Sequence, residues 1–146
     1  MKTIRQVIKE KGGNIWFTTP DTPVFDALTL MAEKSIGALL VMDSQKVVGI
    51  FSERDYARKV ILKGKSSKDI FVREIMSTHV RFITPDQTCD QAMALMTEKK
   101  IRHLPVILEN ELLGIVSIGD LVKVVIEEQK RTIDQLEKYI IDTQKL

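Results

Sequence analysis

The feature that most constrains this chain is an internal repeat: "GIFSERD" at residues 49–55 returns as "GIVSIGD" at residues 114–120, 65 positions later. With that shift, residues 19–60 align with residues 84–125 without a gap, and 16 of the 42 aligned positions are identical. Similar secondary structure alone does not explain one ungapped register, so we interpret the repeat as a duplication. The fold should therefore contain one supersecondary unit twice.

Each copy has the pattern β-α-β-β-α. A short apolar strand ("IWFT", then "VRFI") precedes Thr-Pro-Asp, and apolar residues then recur at helical spacing. Two strands follow around a polar turn ("ALLVM" and "VVGIF", then "HLPVI" and "LLGIV"). A second helix is predicted to begin near Ser52 or Ser117. Because Pro105 has no N–H donor, its strand should be an edge strand or be paired on one side only.

One copy of about 50 residues is too short to bury a large core. We therefore predict an α/β fold, more strictly α+β, of two β-α-β-β-α repeats packed face to face with pseudo-two-fold symmetry and two related clefts. The stretch "VREIMSTH", with a short helix from Val72 to Met76, is interpreted as the entry to the second copy. The predicted domains are residues 1–68, with an N-terminal helix, and residues 69–146, with a C-terminal helix.

The two ends of the chain have amphipathic patterns. In the tail from residue 120 to 146 an apolar series recurs at roughly helical spacing: Leu121, Val125, Ile133, Leu136 and Ile140. This tail is longer than packing on its own domain requires, so it favours a subunit contact and a homodimer; the alternative is a helix packed within its own domain. "TIRQVIKEK" is interpreted as a second amphipathic helix of the same kind.

Composition narrows the class of protein. A net charge of +2 without a run of like charges argues against nucleic acid or an anionic membrane surface. The longest apolar run, at residues 36–42, is too short to span a membrane. The single cysteine, Cys89, lies on the apolar face of a predicted helix and favours a buried side chain in a reducing, cytoplasmic protein. No metal-ligand spacing occurs, and Gly12–Asn14 lacks the rest of a phosphate-loop motif and is interpreted as a turn.

A Ser-x-x-Asp motif stands at the predicted start of the second helix in each copy. Its spacing is that of a capping box, which satisfies N–H groups at a helix start and needs no ligand. However, a glycine three residues before each serine is typical of close approach by a ligand or another backbone. A helix start also suits an anion, and a carboxylate can accept hydrogen bonds from the two vicinal hydroxyls of a ribose. The motif therefore fits a ribose clamp as well as a cap.

Two arginines in the first copy add a phosphate-binding pattern. Arg54 and Arg58 are four residues apart, which places both guanidinium groups on one helix face. A cation in the first turn is unfavourable unless something negative is present, and guanidinium binds phosphate well. The alternative is that both side chains are solvated or pair with Glu53 or Asp55.

The duplicated unit, "GIFSERD", "GIVSIGD" and "IRHLPV" resemble a tandem pair of cystathionine-β-synthase-type (CBS) domains over nearly the whole chain. "LMAEKSIGALLV" and "SERDYARKV" also resemble small bacterial stand-alone CBS-pair proteins. The resemblance implies a regulatory module, not an enzyme, that binds an adenosine nucleotide between the repeats and signals to an unidentified protein partner. AMP is the favoured ligand, with ADP, ATP, NAD(H) and S-adenosylmethionine as alternatives, and no catalytic cofactor, metal, nucleic acid or membrane is expected. The competing hypotheses are a ligand-free interaction adaptor and a nucleotide-processing enzyme.

The resemblance also implies ligand contacts by position. Asp55 and Asp120 would bind ribose hydroxyls, and backbone groups at the start of the second strand of each copy would face adenine or the sugar. The predicted nucleotide-binding residues are Thr18, Gly37, Ala38, Leu39, Ser52, Arg54, Asp55, Arg58, Met76, Arg102, His103, Leu104, Pro105, Ser117, Ile118 and Asp120.

The two copies differ where phosphate should lie. The second copy has Gly119 and Lys123 at the positions of the two helical arginines, and it offers Arg102 and His103 where the first copy has small residues. The predicted sites are therefore unequal, with the stronger phosphate site around Asp55 and with Arg102 or His103 reaching across to it.

Overall fold

The computed structural model describes residues 2–12 and 15–144 and divides into two compact units. The first unit holds residues 15–82, and the second unit combines residues 2–12 with residues 83–144. The fold is α+β, as predicted. Within the described residues its elements in chain order are α1 (Ile4–Lys11), β1 (Phe17–Thr18), α2 (Val24–Lys34), β2 (Ala38–Asp43), β3 (Lys46–Ser52), α3 (Glu53–Lys59), α4 (Cys89–Lys99), β4 (His103–Leu108), β5 (Glu111–Ser117) and α5 (Ile118–Gln144). Part of the predicted turn at Gly12–Asn14 and the last two tail residues lie outside the described residues.

Each unit is built on an antiparallel hairpin, β2-β3 in the first and β4-β5 in the second. Both hairpins turn through two residues with positive φ, Ser44 and Gln45 in one and Glu109 and Asn110 in the other. Such a turn matches the right-handed twist of the flanking strands. The polar turns predicted between the paired strands are thus confirmed in both copies.

The first strand of the repeat forms only in the first unit. There β1 runs parallel to β2, whereas the predicted "VRFI" strand is reduced to a single bridge between Ile83 and Val106. Ile83 N–H donates to the Pro105 carbonyl at 3.0 Å, and the next bond toward the chain start would need an N–H at Pro105. Because proline has none, the strand prediction for "VRFI" was wrong, and β4 is paired along its length on one side only.

The helices that follow Thr-Pro-Asp bury the faces predicted from their periodicity. α2 buries Val24, Ala27 and Met31, and α4 buries the matching set Cys89, Ala92 and Met96. Each set joins the separate apolar core of its own unit. The Cys89 thiol is wholly buried, and this burial raises its pKa. Cys89 is therefore the packed apolar side chain that the sequence predicts.

The N-terminal segment completes the core of the second unit. Ile4 and Val7 of α1 are buried there, beside residues of α4, β5 and α5. Ile4 N–H donates to the Gln87 carbonyl at 2.9 Å, and Arg5 N–H donates to the Pro85 carbonyl at 2.9 Å. The amphipathic pattern of "TIRQVIKEK" is confirmed, but its apolar face packs against the chain's own second repeat.

The segment between the repeats completes the core of the first unit in the same way. Val72, in the short 3₁₀ turn Val72–Glu74, is fully buried, and its N–H donates to the Thr22 carbonyl at 2.9 Å. Arg73 N–H donates to the Pro20 carbonyl at 3.0 Å, so the bonds repeat those of Ile4 and Arg5 one for one. The helix predicted from Val72 to Met76 is shorter than expected and packs on the copy that precedes it.

The packing groups residues 2–12 with residues 83–144 and keeps residues 15–82 together, while the division into domains 1–68 and 69–146 stays a prediction. Each repeat is completed by the segment that precedes the other repeat in sequence, because the buried residues of these segments fit the Thr-Pro-Asp turn of that repeat.

The last helix of each repeat differs most between the copies. α3 has 7 residues and ends at Lys59, whereas α5 continues for 27 residues. Only Leu121 and Val124 of α5 are buried, and every described residue from 129 to 144 is exposed. The predicted helical tail is confirmed. No described helix combines the length and hydropathy that crossing a bilayer requires.

Gly49 marks a close approach within the first unit. Ile50 N–H donates to the Ser77 carbonyl at 3.0 Å, and a methyl group on Gly49 would lie 2.7 Å from Met76 Sδ and 3.0 Å from the Ser77 carbonyl oxygen. At Gly114, the equivalent position, the nearest atom is Ile8 Cγ2 at 3.4 Å, in ordinary contact. The approach inferred from these glycines is thus made at Gly49 by the chain itself.

We expect Gly49→Ala to lower the free energy of unfolding by about 1–3 kcal/mol, because the added methyl group meets a backbone carbonyl. Gly114→Ala is the matched control and should change it by less than about 0.5 kcal/mol. Urea denaturation of both variants measures the difference. Equal effects of the two substitutions would contradict the close approach at Gly49.

Candidate functional site

The Ser52–Asp55 motif forms a capping box at the start of α3. Asp55 N–H donates to Ser52 Oγ at 3.2 Å, and Ser52 N–H donates to Asp55 Oδ2 at 3.0 Å. Ser52 Oγ also lies 3.0 Å from Asp55 Oδ2. The local capping role considered from the sequence is therefore present.

The Ser117–Asp120 motif has the same geometry at the start of α5. Asp120 N–H donates to Ser117 Oγ at 3.2 Å, and Ser117 N–H donates to Asp120 Oδ2 at 2.9 Å. The duplication thus extends from the sequence to individual hydrogen bonds.

A lysine contacts the carboxylate of Asp55. Lys59 Nζ, one helical turn later, lies 3.2 Å from Oδ1 and also donates to the Ile75 carbonyl at 2.9 Å. Ser77 Oγ lies 3.5 Å from the same Oδ1. Donors contact both oxygens of the Asp55 carboxylate. The side chain is still 15% exposed to solvent.

A lysine from the N-terminal helix contacts the carboxylate of Asp120. Lys11 Nζ donates to Asp120 Oδ2 at 2.9 Å and to the Ile115 carbonyl at 3.0 Å. Burial by itself would raise the pKa of Asp120, but the hydrogen bond from Ser117 N–H and the Lys11 ammonium outweigh it and lower that pKa. Asp120 is thus an ionised, partly exposed acceptor at neutral pH.

The remaining predicted residues of the first unit lie around the start of α3. The Gly37 carbonyl accepts from Glu53 N–H at 3.1 Å, and Ala38 pairs with Ser52 across the sheet. Thr18 ends β1 and is buried, and Leu39 belongs to the core. The structure therefore brings the strand ends to the capping box, while the Leu39 side chain serves packing.

The second unit repeats this arrangement. The Arg102 carbonyl accepts from Ile118 N–H at 2.8 Å, and His103 pairs with Ser117. Leu104 and Pro105 are buried. Burial lowers the pKa of His103, and Lys11 lowers it further against the opposing effect of Asp120. His103 is therefore neutral at pH 7 and can donate and accept a hydrogen bond.

The predicted phosphate-binding residues occupy the exposed part of the first unit. Arg54 and Arg58 are both exposed on α3. Met76 is partly buried and lies against Gly49.

Two residues from distant parts of the sequence contact these carboxylates and were not predicted. Lys11 is 109 positions from Asp120 and Ser77 is 22 positions from Asp55, so no local pattern connects them. Among the described residues, no group of three or more His, Cys, Asp or Glu side chains is placed to hold a metal.

Comparison with known proteins settles the family. The CBS domain family matches residues 4–62 and again residues 72–127. This chain belongs to the CBS-domain family. The family resemblance inferred from the repeat is therefore confirmed, and so is the CBS-pair fold.

Similar proteins cover most of the chain. The mitochondrial CBS domain-containing protein CBSX3 of Arabidopsis thaliana is 42% identical, with 94% of this chain and 71% of the plant protein covered. The structure of a signal-transduction protein with CBS domains from Burkholderia ambifaria matches with a TM-score of 0.84 at 51% identity, covering 88% of this chain and 96% of that one. The CBS domain pair of protein MJ0100, solved with 5′-methylthioadenosine and S-adenosyl-L-methionine, shares the fold with a TM-score of 0.77 at 19% identity, over 88% of this chain and 98% of that one.

We expect Lys11→Met to raise the pKa of both Asp120 and His103, because the ammonium group lowers each of them. A carboxyl group whose pKa is lowered on folding stabilises the protein above its unfolded pKa, and this contribution is lost as pH falls through the folded pKa. The variant should therefore lose ~0.2–1 kcal/mol at neutral pH and less below about pH 4.

NMR titration of the two side chains and denaturation at several pH values measure these changes. Lys9→Met, on the same helix, is the control, since Lys9 is exposed. An unchanged Asp120 pKa in Lys11→Met would show that the ion pair does not persist in solution.

Proposed function

We propose that this protein is a regulatory sensor in which each Ser-x-x-Asp motif binds the ribose of an adenosine nucleotide. The observation that carries the proposal is the equivalent placement of Asp55 and Asp120. Each carboxylate stands at a helix start beside two strand ends, is paired with a lysine, and keeps part of its surface in solvent. A pair of ribose hydroxyls needs such an acceptor.

Ligand binding at Asp120 would compete with Lys11. The hydrogen bonds from Ser117 N–H and from Lys11 Nζ both go to Oδ2 of this carboxylate. A ribose would displace or share the ammonium group, which could then pair with a phosphate. Lys11 is the last residue of α1. A ligand bound at Asp120 would therefore change the stability of the attachment of α1 to the second unit. A ligand shifts such an equilibrium only by its different affinity for the two states.

The first unit would bind phosphate more strongly. Arg54 and Arg58 lie on the helix that begins with the Asp55 cap, and the second unit has Gly119 and Lys123 at the equivalent positions. Lys59 contacts Asp55, so it would supply a third cation near a bound phosphate.

AMP is the ligand we favour, with ADP, ATP and NAD(H) as alternatives. The adenosine-containing ligands of the MJ0100 pair support this class of molecule. Binding in a cleft between the repeats, a homodimer, a cytoplasmic location, a non-enzymatic role and an unidentified protein partner stay predictions. An interaction adaptor without ligand is the second candidate, and the complete capping boxes favour it.

The first experiment is thermal unfolding of nucleotide-stripped protein with AMP, ADP, ATP, NAD, NADH, S-adenosylmethionine and GTP. A nucleotide at one hundred times its dissociation constant should stabilise the native state by about 2.7 kcal/mol. Asp55→Ala and Asp120→Ala should each weaken binding, measured by calorimetry, and Asp55→Ala should weaken it more.

The matched control is Thr88→Ala, which removes the capping box of α4 far from either motif in sequence. Thr88→Ala should lose roughly 0.5–2 kcal/mol of stability through the lost N-cap. Each aspartate variant should also lose stability, because it removes the side chain that accepts from the N-cap N–H. Only the aspartate variants should lose nucleotide affinity. If no adenosine compound stabilises the protein, the motifs act only as caps and the adaptor becomes the better account.

A further inference from the structure

Residues 126–140 of α5 present an apolar stripe that the described part of the chain does not cover. Four large apolar side chains lie along it, each roughly half exposed: Ile126, Ile133, Leu136 and Ile140. All four side chains extend beyond the two buried positions, Leu121 and Val124, that attach α5 to its unit. We call these four residues the α5 stripe.

The α5 stripe follows a heptad repeat. Ile126, Ile133 and Ile140 are seven residues apart and occupy one position, conventionally a, while Leu136 occupies position d. Gln129 and Thr143 continue the d series, so the seam extends over residues 126–143, about 26 Å of helix at 1.5 Å per residue. A seam with this period favours a helix partner in a coiled coil over a flat surface.

The flanking charges are complementary to a second copy of the helix in antiparallel orientation. Lys130 and Glu137 both occupy position e, and in an antiparallel pair the e positions of one helix face those of the other. Lys130 would then face Glu137 of the partner subunit, and two-fold symmetry would repeat this pair. In the parallel orientation Lys130 would lie beside Val125 of the partner subunit and Glu137 beside Thr132 of the partner subunit, without an opposite charge.

We propose that two copies of this chain associate through an antiparallel coiled coil of their α5 helices, along the α5 stripe. Ile133 packs against Leu136 of the partner subunit in the central layers, and Lys130 pairs with Glu137 of the partner subunit at both edges. This contact defines a surface for the homodimer predicted from the sequence. It does not depend on nucleotide binding, so its test is made without nucleotide.

Sedimentation equilibrium of the full chain tests the proposal by a charge swap. Lys130→Glu creates two like-charge contacts and should weaken self-association about tenfold. The double variant Lys130→Glu with Glu137→Lys restores both pairs and should return the affinity to that of the native chain. Lys138→Glu is the matched control, since it makes the same charge change at position f, away from the seam.

Ile133→Asp provides an independent test of the seam. It should halve the mass of the associated particle while circular dichroism and the thermal midpoint stay close to native values, because Ile133 is exposed within one chain. A monomeric native chain, or association that Ile133→Asp leaves unchanged, would overturn the proposal. Loss of association in Ile133→Asp without any response to the charge swaps would overturn the antiparallel arrangement.

Discussion

The rest of the structure depends on how two short segments are anchored to the Thr-Pro-Asp turns. Ile4 and Val72 are each fully buried, and each donates its N–H to a turn carbonyl at 2.9 Å. These anchors fix the positions of the residues that follow them on the same two segments. Lys11 therefore reaches Asp120, and Ser77 pairs with β3 beside the Asp55 carboxylate. Burial of two apolar side chains thus determines the electrostatic environment of both motifs.

The two carboxylates have the same backbone cap but different lysine partners. Lys59 belongs to α3, the helix that Asp55 helps to cap, and it also donates to the Ile75 carbonyl of the segment between the repeats. Lys11 belongs to a separate helix, so its pairing with Asp120 depends on tertiary packing. Both copies of the motif therefore keep the same backbone hydrogen bonds, while the lysine that pairs with the carboxylate comes from the capped helix in one copy and from a separate helix in the other.

Local patterns predicted most of the fold. Apolar periodicity located α2 and α4, and the Ser-x-x-Asp spacing located both helix starts. The strand predicted at "VRFI" is missing because Pro105, in the strand beside it, has no N–H to donate. The sequence alone does not show which strand lies beside Pro105. The anchoring of α1 was missed because "IRQVI" at residue 4 matches "VREIM" at residue 72 with a shift of 68, three more than the shift of 65 used for the repeat. The Lys11–Asp120 contact is tertiary, and no spacing rule predicts a pair 109 residues apart.

The placement of α1 also orders the steps by which the chain can fold as it is synthesised. The first unit is continuous in sequence, so it can close once residue 82 has left the ribosome. The second unit needs residues 2–12 together with Leu121 of α5, which emerges about 39 residues later, roughly two to eight seconds at bacterial and eukaryotic synthesis rates. During that interval the core around Ile4 and Val7 is incomplete, because Leu121 and Val124 have not yet emerged. The residues of α1 thus emerge before the first unit but complete their native contacts after it.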